Sequence, residues 1–378
     1  MLNQQYNITH RTDSYIEPLL KRVLEMDVPG LCRGSIQVQS ISSSCGKARG
    51  DRFKLCIPYA KQTLNWNVFF DSQCPEMGPD FIFNDDTFLM DMNIDTLSIK
   101  VPSLAKWNLN DRNALLNVLM ELLACYKEHQ IQLLQKQDRL KLEYSMLIDS
   151  SQIAPGDVEI ILLPFASKPT EAKFLITLLV DLSQLQNYGF ELENETAMLL
   201  ITFSGPNWNR IQTHLHISKF LQPIVGNPST LQLQHFPSDK CLMDYVLEAK
   251  MCIAEKINSF VQRFKSRRLF VSTLISLQPG ATIEYDSLDY SHVSVLLNDE
   301  DFHFVVHFFL PSGYPQDIPE IELQSIYHMT KERSPFMRKF DVPYAKEWKP
   351  LELIKKICAF IKKDCVKNFK RNSIENCS

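Results

Sequence analysis

Residues 69–83 read Phe-Phe-Asp-Ser-Gln-Cys-Pro-Glu-Met-Gly-Pro-Asp-Phe-Ile-Phe, and residues 309–323 read Phe-Leu-Pro-Ser-Gly-Tyr-Pro-Gln-Asp-Ile-Pro-Glu-Ile-Glu-Leu. The two stretches align without a gap, Pro75 and Pro79 lying 240 positions before Pro315 and Pro319. Each follows a hydrophobic strand pattern and precedes another short one. A tryptophan comes next, Trp107 at 28 positions beyond Pro79 and Trp348 at 29 beyond Pro319, with a helical pattern just after each. Two prolines four apart fix φ and remove two amide donors, which suits a rigid connection beside a sheet edge. Repetition on this scale means repeated domains.

Working outward, residues 13–26 predict a first helix, capped by Asp13 or Ser14, with Ile16, Leu19, Leu20, Val23 and Leu24 on one face. Short β-type runs follow at 36–38, 53–57 and 64–70, as in an antiparallel meander. Residues 84–106 read as a long loop, and 111–148 as one unbroken helix without Gly or Pro. At ~1.5 Å per residue that helix would be about 55 Å long, so its far half is expected to bridge to a second block. That block gives strands at 158–163, 173–182, 196–203 and 211–217, then a loop containing Pro223, Pro228 and Pro237. A helix capped by Ser238 or Asp239 runs over 241–276 and is closed by Pro279-Gly280. The third block has strands at 282–285, 292–297 and 302–310, a long loop, and a last helix over 350–369. The expected fold class is α+β, with antiparallel meander sheets flanked by helices and joined by long helices. The expected domains are 1–149, 150–262 and 263–378. The middle block shares the element order but lacks the proline motif, so it reads as a third, more eroded relative.

Composition narrows the function. With 378 residues, 45% hydrophobic and 22% charged, the chain suits two or three globular domains rather than disorder. A net charge of −4 gives no general pull toward nucleic acid or anionic lipid. No glycine-rich phosphate cradle occurs, which argues against nucleotide chemistry. The opening stretch MLNQQYNITHRTDSY lacks the apolar segment of a secretory signal, and the longest apolar runs are far too short to span a bilayer. Ten cysteines without a CxxC pair fit reduced thiols in a cytosolic or nuclear protein, with no metal or other cofactor expected.

The order of helix, meander, Pro-x-x-x-Pro, loop, Trp and helix resembles the ubiquitin-conjugating fold and its inactive (UEV) variants. In active members the sheet leads to His-Pro-Asn and a nucleophilic cysteine before the tryptophan. Here no cysteine lies between Pro79 and Trp107, or between Pro319 and Trp348. In the second copy Ile326-Tyr327-His328 is retained, but Met329-Thr330 stands where Pro-Asn would be. The thiolate that would accept ubiquitin and the Asn that would support the oxyanion are both missing, twice. The resemblance therefore implies a protein without conjugating activity.

The whole chain resembles the brain and reproductive organ-expressed (BRE) family of deubiquitinase-complex subunits. The stretches that carry this are 51–55, 57–60, 79–83, 241–246 and 324–328. One departure is Cys74, which replaces the aromatic residue of the first Tyr-Pro. The resemblance implies a non-catalytic scaffold of a BRISC-type hetero-oligomer. Its implied partners are an Abraxas-type scaffold subunit, a MERIT-type subunit, a zinc-dependent deubiquitinase subunit and ubiquitin. It also implies a cytoplasmic and nuclear location and roles in DNA-damage signalling, mitosis and apoptosis. The alternative is a free-standing ubiquitin-binding UEV protein acting in cargo sorting or as a conjugation cofactor.

Tyr327, His328, Phe336 and Trp348 are the candidate partner-binding residues, aromatic side chains beside a vacated reactive position that could take a partner tail. Trp107 and Trp348 also read, more simply, as core anchors for the helices that follow. His303 with His307, and His214 with His216, lack the spacing or third ligand of a metal site. Arg263, Lys265, Arg267 and Arg268 read as a solvated helix face, as do Lys355, Lys356, Lys362 and Lys363. The latter also suit a helix C-terminal half through its dipole.

Overall fold

A computed structural model describes residues 9–375 except 27, 28, 33, 45, 47, 48, 91, 166, 167, 187–195, 228–230, 232–235 and 237–239. It divides into two compact units, one of residues 1–181 and 192–254, the other of 182–191 and 255–378. The described residues form three antiparallel sheets: β1–β4, β5–β8 and β9–β13, each with its strands in sequence order.

In the first unit α1 (Glu17–Leu24) is shorter than the expected 13–26. Asp13 does start it, but through its backbone: its carbonyl accepts the amides of Ile16 at 2.9 Å and Glu17 at 3.0 Å. Pro18 then supplies a pre-set φ in the first turn. Ile16, Leu19, Leu20 and Val23 are buried, as their spacing demands. Strands β1 (Gln37–Ser42), β2 (Arg52–Tyr59) and β3 (Gln62–Phe69) fall where the alternation placed them, and β4 (Asp80–Ile82) closes the meander. Trp66, Phe53, Leu55 and Ile57 bury one face of this sheet.

Residues 84–106 are not all loop. Asn93 accepts the Thr96 amide at 2.8 Å and caps α2 (Ile94–Lys100). The single long helix is also corrected. It is α3 (Ala114–Gln135) and α4 (Asp138–Asp149), separated where Gln137 adopts an extended conformation. The Gln137 side chain accepts the Trp208 indole N–H at 3.3 Å, a partner far away in sequence. Redirected there, α4 buries Leu140 and Leu147 instead of spanning open space.

Strands β5 (Val158–Leu163), β6 (Glu171–Leu178), β7 (Ala197–Ser204) and β8 (Arg210–Ile217) match the four expected runs. Ile161, Leu175 and Met198 of this sheet join the same buried cluster as the first sheet. The proposed caps Ser238 and Asp239, with Pro228 and Pro237, lie outside the described residues. Helix α5 (Leu242–Leu277) runs close to its expected length and ends before Gly280, whose φ of 77° suits a turn after a helix.

In the second unit β9 (Thr282–Tyr285), β10 (His292–Asp299) and β11 (Phe302–Phe309) form as read. The long loop beyond is corrected: β12 (Glu320–Met329) has ten residues and β13 (Pro335–Phe340) pairs with it. The last helix is α6 (Pro350–Phe360), a π turn (Ile361–Cys365) and α7 (Val366–Glu375). Arg267 departs from the solvated-face reading. It is 6% exposed, and its guanidinium donates to the Asp289 carboxylate at 2.6 Å and the Ser312 carbonyl at 3.3 Å. One buried fork thus ties the β9–β10 loop to the proline loop.

The repeat is written into the backbone. Arg52 pairs with Phe69 as His292 pairs with Phe309; Tyr59 pairs with Gln62 as Asp299 with Phe302. Phe69 pairs with Asp80 as Phe309 with Glu320. Every one of these positions is offset by 240 residues. The loop bonds follow suit: Phe70 N–H donates to Asp51 O at 2.9 Å and Leu310 N–H to Ser291 O at 2.7 Å. Cys74 donates to Asp71 at 3.2 Å, and Tyr314 to Pro311 at 3.0 Å.

Candidate partner-docking site

The fourth strand of the first copy leads into a polar turn at Asp85, and the matching position of the second copy, Ser325, lies within β12 where its pairing with β13 shifts register. Asp85 and Ser325, again 240 positions apart, are 2% exposed. Asp85 Oδ1 accepts the Thr87 amide at 3.1 Å, and Ser325 Oγ accepts the Tyr327 amide at 3.2 Å. A side chain that caps the amide two residues on makes a tight, self-satisfied turn. Asp85 is held further by Thr87 Oγ1 at 2.6 Å and by Tyr126 Oη and Gln130 Nε2, both at 3.2 Å. Ser325 Oγ also lies 2.9 Å from His328 Nδ1.

The polar groups around Asp85 have structural partners. Thr87 Oγ1 is 3.1 Å from His129 Nε2, but Asp85 approaches that same ring nitrogen, at 4.0 Å, not the far one. A nucleophile–base–orienter relay needs the acid on the opposite nitrogen. Burial lowers the His129 pKa. Burial also raises the thiols of Cys125 and Cys358, and pushes Cys365 up to about 11, so each stays protonated near neutral pH.

Three of the four expected docking residues come together. The Tyr327 and His328 rings lie 5.7 and 6.5 Å from Phe302, and Phe302 lies 6.2 Å from Phe369. Phe336 packs on that same Phe369 at 5.5 Å. Tyr327 is 53% exposed, with its hydroxyl 3.1 Å from His303 Nδ1, and Ile326 and Met329 beside it are exposed as well. Tyr327 is the exposed ring of this aromatic cluster, with His328 and Phe336 half-buried and Phe302 and Phe369 buried.

Trp348 stands elsewhere. It lies half-buried against the third sheet's core, with the Lys356 ammonium 3.7 Å from its ring centroid. Its near neighbours in sequence, Tyr344 and Lys346, bond to Pro315 O at 2.5 Å and Gln316 Oε1 at 3.1 Å. Those belong to the proline loop, at the end of β11 opposite Phe302, roughly 20 Å along the strand. Trp107 has the matching place in the first copy: a Cβ on Gly78 would meet its ring at 3.4 Å, and it packs 6.0 Å from Phe70. His307 lies on the third sheet between Ser294 at 2.8 Å and Gln324 at 2.9 Å. Among the described residues no group of three or more His, Cys, Asp or Glu could hold a metal.

Sequence reasoning missed Asp85, Ser325, Phe302 and Phe369. The first two were available by continuing the 240-residue offset past Phe83. The last two were not, since only tertiary packing brings Phe369 of α7 to the strand ends.

The fold and site define a class: a mixed α+β protein with a meander repeated in one register and a buried polar side chain at the matching position beyond each proline loop. A sequence profile of the family described as "Brain and reproductive organ-expressed protein (BRE)" matches residues 10–329, and the chain belongs to that family. A lancelet (Branchiostoma floridae) protein named "BRISC and BRCA1-A complex member 2" is 31% identical over 374 residues, covering 96% of each chain. A zebrafish (Danio rerio) protein of the same name is 29% identical over 370 residues, covering 93% of each. No helix among the described residues is long and apolar enough to cross a membrane.

Proposed function

We propose that the chain is a non-catalytic adaptor subunit of a BRISC- or BRCA1-A-type deubiquitinase assembly, working in cytoplasm and nucleus. Its three blocks, 1–149, 150–262 and 263–378, are degenerate ubiquitin-conjugating-like (UEV) domains. The adaptor links an Abraxas-type scaffold and a zinc-dependent isopeptidase to a MERIT-type subunit, and contributes a ubiquitin contact. The relatives' names support the assembly. One structural observation carries the adaptor role: two meanders share a register, matching buried side chains, Asp85 and Ser325, each accept the amide two residues on, and no cysteine lies between Pro79 and Trp107 or between Pro319 and Trp348. The aromatic cluster of Tyr327, His328 and Phe336 takes a partner's extended tail.

Size-exclusion chromatography of the endogenous protein tests the reading. A large, salt-resistant complex is expected, and Tyr327→Ala, which alters an exposed ring and keeps the melting temperature, should shed one partner. A monomer would favour the free-standing ubiquitin-binding alternative. Undiminished partner capture by folded Tyr327→Ala would remove the docking role from that surface.

A further inference from the structure

The final helical run buries one stripe, Ile357, Ile361, Cys365, Phe369 and Ser373, at every fourth residue. In a regular α-helix such a stripe would drift by about 40° per step. The wider π turn at Ile361–Cys365 takes up part of that drift and keeps the stripe on the core. The row two residues further on therefore points away from the core: Lys355, Ala359, Lys363, Lys367 and Arg371, all exposed. Lys356, Lys362 and Lys370 flank it, and Asp364 is the one acidic residue between 353 and 374.

Lys356 is paired with Glu352 and Lys370 with Asp301, each at 2.9 Å, and Arg371 reaches Glu375 at 4.0 Å. Lys355, Lys363 and Lys367 have no ion-pair partner among the described residues. Like charges four apart on a helix destabilise it unless something opposite covers them. The whole chain is negative, at −4, so this row is a local segregation of charge.

We propose that the row is a docking face for an acidic helix of a partner protein, one carrying carboxylates at four-residue spacing. The ~6 Å axial repeat of such a helix matches that of the lysines, over a span of about 24 Å. No aromatic side chain interrupts the row to stack on bases, which separates it from single-strand binding surfaces. Its one apolar member is Ala359, too small to anchor in lipid. The proposal does not depend on which assembly the chain joins.

The test uses the full chain and a labelled, alanine-based helical peptide of about 20 residues with Glu at every fourth position. The variant Lys355→Gln/Lys363→Gln/Lys367→Gln/Arg371→Gln is compared with a control, Lys106→Gln/Lys141→Gln/Lys256→Gln/Lys331→Gln, made at exposed lysines elsewhere. The peptide should bind the wild type, with affinity falling as salt rises. The row variant should bind about tenfold more weakly, as expected for four exposed ion pairs, and the control as well as wild type. Single Lys363→Glu should lose severalfold by itself, which covers the case in which the fourfold variant misfolds. Equal binding by wild type and folded row variants, or no peptide binding at low salt, overturns the proposal. So does tighter retention, through the same four residues, of duplex DNA or phosphatidylserine vesicles than of the peptide.

Discussion

Glu159 lies on β5 with 3% of its surface exposed, and its carboxylate serves the first sheet. Its two oxygens accept the amides of Leu31 at 2.6 Å and Ala60 at 2.8 Å. Ala60 and Lys61 form the β2–β3 turn with φ of 46° and 57°, a left-handed conformation that non-glycine residues adopt at a cost. The buried acid helps hold that turn in place. Glu159→Ala would leave two amides without acceptors, a net loss of about 2 kcal/mol measured by urea unfolding. Burial raises the carboxyl above its ordinary value of 4.5, against the pull of the two amides and Lys127. A raised folded-state value favours the protonated form. Its stabilising contribution is complete below 4.5 and fades as pH rises through the folded value. Glu159→Gln should flatten that decline, seen as a smaller change in urea midpoint between acidic and neutral pH.

At the scale of elements, α7 is joined to the third sheet through Phe369, which is fully buried against Phe302, Phe336 and Phe340. Phe369→Ala should cost about 3–5 kcal/mol and broaden the NMR signals of Tyr327 and His328 while leaving the first unit's melting transition in place. Much of the element plan was legible. The alternation in β2, β3, β10 and β11 fixed four strands, and the paired prolines fixed the turns between third and fourth strands. The break at Gln137 was hidden, because neither Gly nor Pro marks it and the partner of its side chain, Trp208, is far away in sequence. Strand β13 was hidden too, since Pro-Phe-Met-Arg-Lys-Phe lacks a clear two-residue alternation. Of the expected site, Tyr327, His328 and Phe336 converge. Trp348 does not, because nearness in sequence to a shared turn says little about which end of a strand a side chain reaches.

For the whole molecule, the first two sheets share one buried cluster, so sheet boundaries and folding boundaries need not coincide. The repeat in register accounts for the architecture of the first and third sheets, and the role we propose for the chain is to hold other proteins. That role is the central claim. Native mass spectrometry of the affinity-tagged chain, purified from cells at near-physiological salt, tests it most directly. The account predicts that the chain flies in discrete heteromeric species, with a deubiquitinase-type subunit among the dissociated masses and no ubiquitin adduct on any cysteine. A spectrum dominated by the free chain, or one carrying a thioester-linked ubiquitin, would contradict it.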